Sequence, residues 1–376
     1  MFNRTIRFPG SYLSLATFAL CLGAVFSLSI LVPKGTLAKR SRKSRSKKRK
    51  GLKFYKKAEA LRLGSATKIN LAKATEFYEK SCKAGYPLGC WRLAYMLDAH
   101  LSYPGKKITI KPAELIRLYN RACKGGVPVA CASLGYFYKK GKGIPKNYTL
   151  AKKLFRKACR RRSGVGCYYG FELAEEAWEK KKRSKRQKRR WAAKKRRLGK
   201  KIKRYLYRAC YIKKFEDACY LYGYLYYQGT YLKKNTKRAF VLLLKGCKLG
   251  SAESCDFLGL LYAYGVGVKK NYTLARKSHV KACMYFSKDG CMHAGGVHFH
   301  GVGGPKDFVL ARKYYGKSCK WKKGQACLLL GEMYIRGEGG DRNVKGALKL
   351  YQKACKLKNK DACKRSYELD KILNPK

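Results

Sequence analysis

Acidic residues are scarce in this chain: 21 Asp and Glu stand against 89 Lys and Arg, a formal charge of +68 over 376 residues. The deficit excludes a charge-balanced surface. A field of that sign opposes compaction and favours anionic partners such as nucleic acid, acidic lipid or acidic glycan. Catalytic signatures are also missing. No phosphate loop, catalytic triad or acid–base pair rises above chance, and no motif for reading a DNA sequence is present. Histidine is rare, with five residues, of which His293, His298 and His300 follow Cys291 closely. The Cys-x7-Cys spacing there is not that of zinc ligands, and a disulfide would consume both thiols. His298 takes the place that Tyr138, Tyr262 and Tyr334 hold elsewhere, so packing accounts for it. No metal and no cofactor is expected.

The amino terminus is organised for targeting. Arg4 and Arg7 precede an uncharged apolar run, roughly Leu13 to Val32, closed by Pro33 and Lys34. Small residues from Thr36 to Ala38 suit cleavage, so residues 1–38 are expected to be a signal peptide and the protein secreted or periplasmic. The run is also long enough for an uncleaved membrane anchor. The cations that follow, from Lys39 to Lys50, are of the kind held in the cytoplasm. Residues 39–51 are expected to be a basic, disordered segment.

What the chain has in abundance is cysteine. Apart from Cys21 in the apolar run, the 17 cysteines form eight pairs. They are Cys82 with Cys90, Cys123 with Cys131, Cys159 with Cys167, Cys210 with Cys219, Cys247 with Cys255, Cys283 with Cys291, Cys319 with Cys327, and Cys355 with Cys363. Seven pairs are eight residues apart, one is nine, and from Cys247 the pattern recurs every 36 residues. That period belongs to stacked helical hairpins. Alanine stands eight residues before the first cysteine at Ala74, Ala151, Ala239, Ala275, Ala311 and Ala347. A small residue there lets two helices approach closely. The second helix closes on paired glycines: Gly141 and Gly143, Gly265 and Gly267, Gly301 and Gly303, Gly337 and Gly339. The turn between the cysteines often carries glycine, at Gly85, Gly125, Gly250 and Gly324. Antiparallel helices joined by so short a turn bring the two sulfurs within bridging distance. Each closed loop contributes about 2.5 kcal/mol in the chain-entropy model. Paired cysteines at this density imply an oxidising compartment.

The pattern Ala-Cys-x-x-Leu-Gly-x-x-Tyr-x-x-Gly-x-Gly, clear at Ala130 to Gly143 and Ala326 to Gly339, resembles the Sel-one-like repeat. The recurring cysteine pair narrows the resemblance to proteins of the Helicobacter cysteine-rich type, over roughly residues 52–371. The resemblance implies an all-α, right-handed α/α solenoid of about eight disulfide-clipped hairpins. It also implies secreted proteins, penicillin binding and weak β-lactamase activity. The residues lend that activity little support. Ser-x-x-Lys occurs at Ser44 to Lys47, Ser65 to Lys68 and Ser278 to Lys281, as often as chance gives, with no Lys-Thr-Gly or Ser-Asp-Asn beside it.

The array departs from its period twice. Five extra residues lie around His100 to Ile110, and fifteen extra between Cys167 and Cys210. The second excess, at about 177–205, is strongly basic: from Lys180 to Arg208, 18 of 29 residues are Lys or Arg. A protruding, partly helical arm that binds polyanions is expected there. Its candidates are Lys180, Lys181, Lys182, Arg183, Lys185, Arg186, Lys188, Arg189, Arg190, Trp191, Lys194, Lys195, Arg196 and Arg197. Tyr138, Tyr226, Tyr262 and Tyr334 recur at one core-like position; Tyr136 and Tyr224, two residues earlier, are candidates for the concave face. The expected protein is a non-enzymatic, monomeric scaffold. It takes a protein or peptide on that face, and its basic segments associate with an anionic polymer or envelope surface. A β-lactam hydrolase or peptidoglycan-fragment binder, and a nucleic-acid binder working through the arm, are the alternatives.

Overall fold

The computed structural model describes residues 34–64, 70–98, 111–141, 144–179 and 184–374. Residues 1–33 of the expected signal segment and the excess around His100 to Ile110 lie outside them. The chain divides into two compact units, Met1–Arg45 and Ser46–Lys376. Of the first, only the opening turns of helix α1 (Lys34–Leu63) are described. Residues 39–51 are therefore helical rather than disordered. Lys and Arg are good helix formers, and Gly51 closes onto the next turn, where an added Cβ would meet Tyr86 Cβ at 2.7 Å. Among the described residues no helix is long and apolar enough to cross a membrane.

The second unit is an α/α solenoid, and its described residues contain helices and turns without strands. After α1 come eight hairpins. They are α2 (Leu71–Lys83) with α3 (Pro87–Asp98), α4 (Pro112–Lys124) with α5 (Pro128–Lys140), α6 (Tyr148–Arg160) with α7 (Gly164–Glu179), and α8 (Lys185–Tyr207) with α9 (Glu216–Gln228). The regular run follows: α10 (Thr236–Lys248) with α11 (Ala252–Tyr264), α12 (Tyr272–Met284) with α13 (Lys288–Phe299), α14 (Phe308–Lys320) with α15 (Gly324–Arg336), and α16 (Val344–Lys356) with α17 (Lys360–Leu373).

Each hairpin carries one disulfide, and the partners are those that the spacing pairs. In the first four hairpins Cys82 bonds to Cys90, Cys123 to Cys131, Cys159 to Cys167 and Cys210 to Cys219. In the regular run Cys247 bonds to Cys255, Cys283 to Cys291, Cys319 to Cys327 and Cys355 to Cys363. The first cysteine of each pair ends one helix and the second opens the next, with Cα atoms 4.3 to 4.8 Å apart. Cys90, Cys131, Cys219 and Cys327 are fully buried, whereas Cys363, near the end of the array, is half-buried.

Local chemistry explains the repetition. Twelve residues before the first cysteine stands an Asn or Asp whose side chain caps the first helix: Asn70, Asn147, Asn235, Asn271, Asp307 and Asn343. Each accepts the N–H three residues on, satisfying a donor the helix leaves open. The six alanines eight residues before the cysteine are fully buried. Four residues before the cysteine, a core side chain covers the Leu-Gly glycine of the preceding hairpin. Phe155 lies on Gly135, Leu243 on Gly223, Tyr315 on Gly295 and Tyr351 on Gly331, each too close to admit a Cβ.

The turn differs from expectation in one respect. Its left-handed residue is the third after the first cysteine: Gly85, Gly126 and Gly250, but also Arg162, Phe286, Lys322 and Lys358. Gly125 ends α4 with ordinary φ, and Gly324 already belongs to α15. In the hairpin with nine-residue spacing, the extra residue is absorbed as a π-turn, Arg208–Ile212, closed by Lys213 N–H to Arg208 O. The left-handed residue there moves one place on, to Lys214.

The basic insertion is not a protruding arm. It is α8, a lengthened first helix within the array. Trp191 stacks on Phe171 at 4.9 Å and on Trp178 at 4.6 Å. Ile202 and Leu206 are fully buried, with Leu198 packed beside them. Trp191, Lys195, Leu198, Ile202 and Leu206 form a helical stripe that the surrounding lysines and arginines conceal in composition.

Second helices also touch one another, α5 with α7, α7 with α9, α9 with α11 and α11 with α13, so they line the inner side of the curve. The array coils far enough for α3 to meet α9, where Trp91 and Phe215 lie 5.6 Å apart. Helix α1 stands to α2 as α13 stands to α14: Ser81 Oγ donates to Gly51 O as Ser318 Oγ donates to Lys288 O. The end of α1 is thereby directed to the inner side.

Candidate functional site

From the third hairpin onward the inner side gathers the acidic groups that the first helices lack. From α6 onward no first helix carries an acidic residue. The second helices carry Glu172, Glu175, Glu176, Glu216, Asp217, Glu253, Asp256, Asp289 and Glu332. Attraction to the helix N-terminus accounts for those in first turns, such as Asp217, Glu253 and Asp289. It does not account for Glu172, Glu175, Glu176, Asp256 and Glu332, which lie farther along.

Aromatic rings run beside these carboxylates. Tyr136 packs on Tyr169 at 5.3 Å, Tyr168 on Tyr231 at 5.8 Å, and Tyr224 on Tyr220 and Phe257 at 6.1 and 6.3 Å. Burial and the Glu172 carboxylate push the Tyr168 phenol up, with a further contribution from Tyr224. Tyr136 and Tyr224 thus belong to one half-buried stripe, joined through the tyrosines of α7. Lys140 sits over the Tyr136 ring at 5.7 Å and Lys195 over Tyr231 at 5.2 Å, so these rings already hold cations. Of the four tyrosines expected in the core, Tyr226 is buried, while Tyr138, Tyr262 and Tyr334 are half-buried.

At the N-terminal end of the stripe the groove holds two guanidinium groups. Arg62, from the end of α1, donates to Glu59 Oε2 at 2.8 Å and to Leu249 O at 3.2 Å, with Glu216 at 3.7 Å. Arg92 clasps both oxygens of Glu216, at 2.7 Å for Oε2, and lies 2.9 Å from Glu59. Tyr78 donates to Glu59 at 2.6 Å. Burial would raise the Glu59 carboxyl, but Arg92 and Arg62 outweigh it and hold it at about 2. Next to this network Asp217 accepts from the Tyr95 hydroxyl at 3.4 Å rather than from a guanidinium. Burial first, then Glu216 and Glu253, push its carboxyl well above the usual range. Glu253 is raised as well, by burial and by Glu216, although water reaches it. A cavity of ≈ 130 Å³ opens beside Asp217, lined also by Trp91, Phe215, Tyr205, Arg161, Arg162, Arg208 and Lys213. Within that cavity Asp217 is the one carboxylate among four cations, so the open acidic ground of the inner face lies beyond it, toward Glu253.

The expected polyanion residues separate into two sets. Lys185, Arg186, Lys188, Arg189, Arg190, Lys194, Arg196 and Arg197 are on the outer side of α8, whereas Trp191 and Lys195 anchor it, the latter on Glu175 at 2.7 Å. Lys180, Lys181, Lys182 and Arg183 lie in or beside the stretch outside the described residues. Lys194 and Arg197 join Lys152, Arg156 and Lys201 around an open groove of ≈ 440 Å³ between α6, α7 and α8. Ser278 is buried in α12 and its hydroxyl donates to Leu274 O at 2.7 Å. His298 is also buried, with Nδ1 2.8 Å from Ala294 O. Among the described residues one group of metal-ligating type, Asp256, His279 and His293, lies where α11, α12 and α13 meet.

Sequence reasoning misses the Arg62–Glu59–Arg92–Glu216 network and this Asp–His–His group. Arg92 and Glu216 are 124 residues apart, Asp256 and His293 37, and no spacing rule links them. The capping Asn and Asp, by contrast, repeat at fixed distance from the cysteines and are open to reading.

A model of the Sel1 repeat matches residues 58–86, 128–163, 216–251, 252–284, 289–320 and 324–359, more than half of the chain. Among solved structures, a Sel1 repeat protein from Oxalobacter formigenes is similar over 90% of this chain and 92% of its own, at 18% identity and a TM-score of 0.50. Helicobacter pylori cysteine rich protein B is 32% identical over 35% of this chain and 93% of its own, with a TM-score of 0.29. The antigen c5321 of uropathogenic Escherichia coli is 18% identical over 90% of this chain and 68% of its own, with a TM-score of 0.44. No curated protein sequence matches the chain.

Proposed function

Since the chain belongs to the Sel1 repeat family, we propose that it is an exported interaction scaffold whose inner groove takes a cationic segment of a partner protein. Its outer helices rest on an anionic polymer or envelope surface, and the molecule works as a monomer. One observation carries the reading: the groove already holds two guanidinium groups, Arg62 and Arg92, between Glu59 and Glu216. Beyond them the same inner face offers Asp217 and Glu253 beside tyrosine rings, and Lys139 already sits on Glu172 there at 2.6 Å, the pairing of carboxylate and π-face that suits Lys and Arg. The net positive charge does not prevent this. At physiological salt the field is screened within about 8 Å, so the nearest charges decide.

Eight disulfides support export, because paired thiols persist in oxidising compartments. The exposed cations of α6 and α8 support the anionic surface, since phosphate-like groups on Lys and Arg release counterions. Serine acylation has no support at Ser278, whose hydroxyl is committed to Leu274 O.

The test is fluorescence anisotropy of an arginine-rich peptide and of its glutamate-rich counterpart, at physiological salt, on disulfide-intact protein. The cationic peptide is expected to bind, and Glu253→Gln to weaken it several-fold. Preference for the acidic peptide, or indifference to Glu253→Gln and Asp217→Asn together, would sink the reading.

A further inference from the structure

At the interface between α11 and α12 the repeating core side chain is replaced. His279 stands where Phe155, Leu243, Tyr315 and Tyr351 stand in other hairpins, its ring against Gly259, where an added Cβ would meet ring atoms at 2.6 to 2.8 Å. A buried imidazole in that place needs a polar partner. The partner is Asp256, one residue after Cys255, where other hairpins carry Trp91, Met292 or Leu328. A third departure meets these two: His293, two residues after Cys291, where Leu221, Phe257 and Leu329 stand elsewhere. Three exceptions to the repeat thus converge on one point from three helices.

Their geometry is that of a small ligand set. Asp256 Oδ1 lies 2.8 Å from His279 Nδ1 and 2.8 Å from His293 Nδ1. The two rings are 5.0 Å apart, and the three ligand atoms lie within 4.8 Å of one another. The His279 ring lies on Gly259, and Nδ1 is its atom that faces Asp256. His279 is 3% exposed and Asp256 9%, whereas the His293 side chain is 32% exposed. The set is closed on the core side and open on the other.

We propose that Asp256, His279 and His293 form a binding site for a divalent transition metal of the zinc class, with at least one coordination position left for water or a donor from the partner. Two imidazole nitrogens and one carboxylate oxygen are the donors such ions take, at about 2.0–2.2 Å each. Around a tetrahedral ion, ligand atoms stand about 3.3 Å apart, so the Asp256 oxygen has to part from each imidazole nitrogen by about half an ångström and the two nitrogens have to adjust to it. His293, being partly exposed, has the freedom to do so. The site goes beyond the scaffold reading: it would add a metal-dependent contact to the groove wall, or brace hairpins five and six.

The experiment is calorimetric titration of untagged, disulfide-intact protein with Zn²⁺, together with the visible absorption of Co²⁺ as a geometric probe. One Zn²⁺ per chain and intense tetrahedral Co²⁺ bands are expected. His293→Ala, at a partly exposed position, should weaken binding about tenfold or more, and the isosteric Asp256→Asn likewise, with helical content unchanged. His298→Ala should bind as the parent does. Absence of stoichiometric binding, or binding that survives both His293→Ala and Asp256→Asn, would overturn the proposal and leave a hydrogen-bonded core cluster.

Discussion

Outer and inner helices of this solenoid obey the same repeat and differ in chemistry. The outer helices α6, α8, α10, α12, α14 and α16 carry Lys and Arg without a single acid. The inner helices concentrate the acids and the tyrosine stripe, and α11 and α13 meet outer α12 in an Asp–His–His group. Packing sets both faces in the same way, through buried alanines, disulfides and rings on glycine. The difference lies at positions the repeat leaves free, and those positions hold whatever function the scaffold serves. The large net charge therefore does not describe α7, α9 and α11, which carry acids and no Lys or Arg.

The comparison breaks most severely if the inner ion network loses its centre. Glu216→Ala leaves Arg92 and Arg62 buried without that carboxylate and is expected to cost about 3–5 kcal/mol. Lys153→Ala on the outer face should stay within about 0.5 kcal/mol. Thermal unfolding followed by circular dichroism separates them. Acid should produce a milder form of the same loss. Glu59 is held at about 2, below its ordinary value of 4.5, so its contribution is present above pH 4.5 and lost as pH falls through about 2. A pH series on parent and Glu216→Ala protein checks this, the parent losing more on acidification than the variant.

Next in size is the docking of α8. Trp191→Ala removes the stack on Phe171 and Trp178, at about 2 kcal/mol for a half-buried ring. Faster amide exchange confined to α8 would identify the effect. Changing Lys194, Arg197 and Lys201 together to Gln sharpens the outer side of the comparison. Affinity for DNA, used as a generic polyanion, should fall with its salt slope reduced by about 2–3, and stability should be untouched. The smallest effect lies in the turns that the faces share. Lys358 has φ 66°, and Lys358→Gly should stabilise by about 1 kcal/mol. Gly250→Ala should do the opposite, because φ is +88° and a Cβ would meet Arg62 Nη1 at 2.5 Å.

The architecture is legible because its strongest constraint is covalent and periodic. Cysteine pairs eight residues apart, with alanine eight residues before them, leave little but a short-turned helical hairpin. The pairing of Cys210 with Cys219 survives the one irregular spacing because the π-turn takes up the extra residue. Gly125 and Gly324 mislead because glycine marks a left-handed turn only in the right place, and here Phe286, Lys322 and Lys358 occupy it. The α8 helix is hidden by composition: Leu198, Ile202 and Leu206 keep helical spacing, but 18 cations in 29 residues suggest a solvated arm. Tyr136 and Tyr224 are readable as one register position, and the stripe joining them depends on Tyr168 and Tyr169 of a hairpin whose register is shifted. Arg62 with Glu216, and His279 with Asp256 and His293, are products of superhelical coiling and stacking. Nothing local in the chain announces them.

The most direct test of the divided scaffold is amide hydrogen exchange of the disulfide-intact protein with and without a bound arginine-rich peptide at physiological salt. Slowed exchange is expected in α7, α9 and α11, with the outer helices α6, α8 and α10 unchanged. Protection spread over the outer helices, or none on the inner ones while the peptide is bound, would contradict the account.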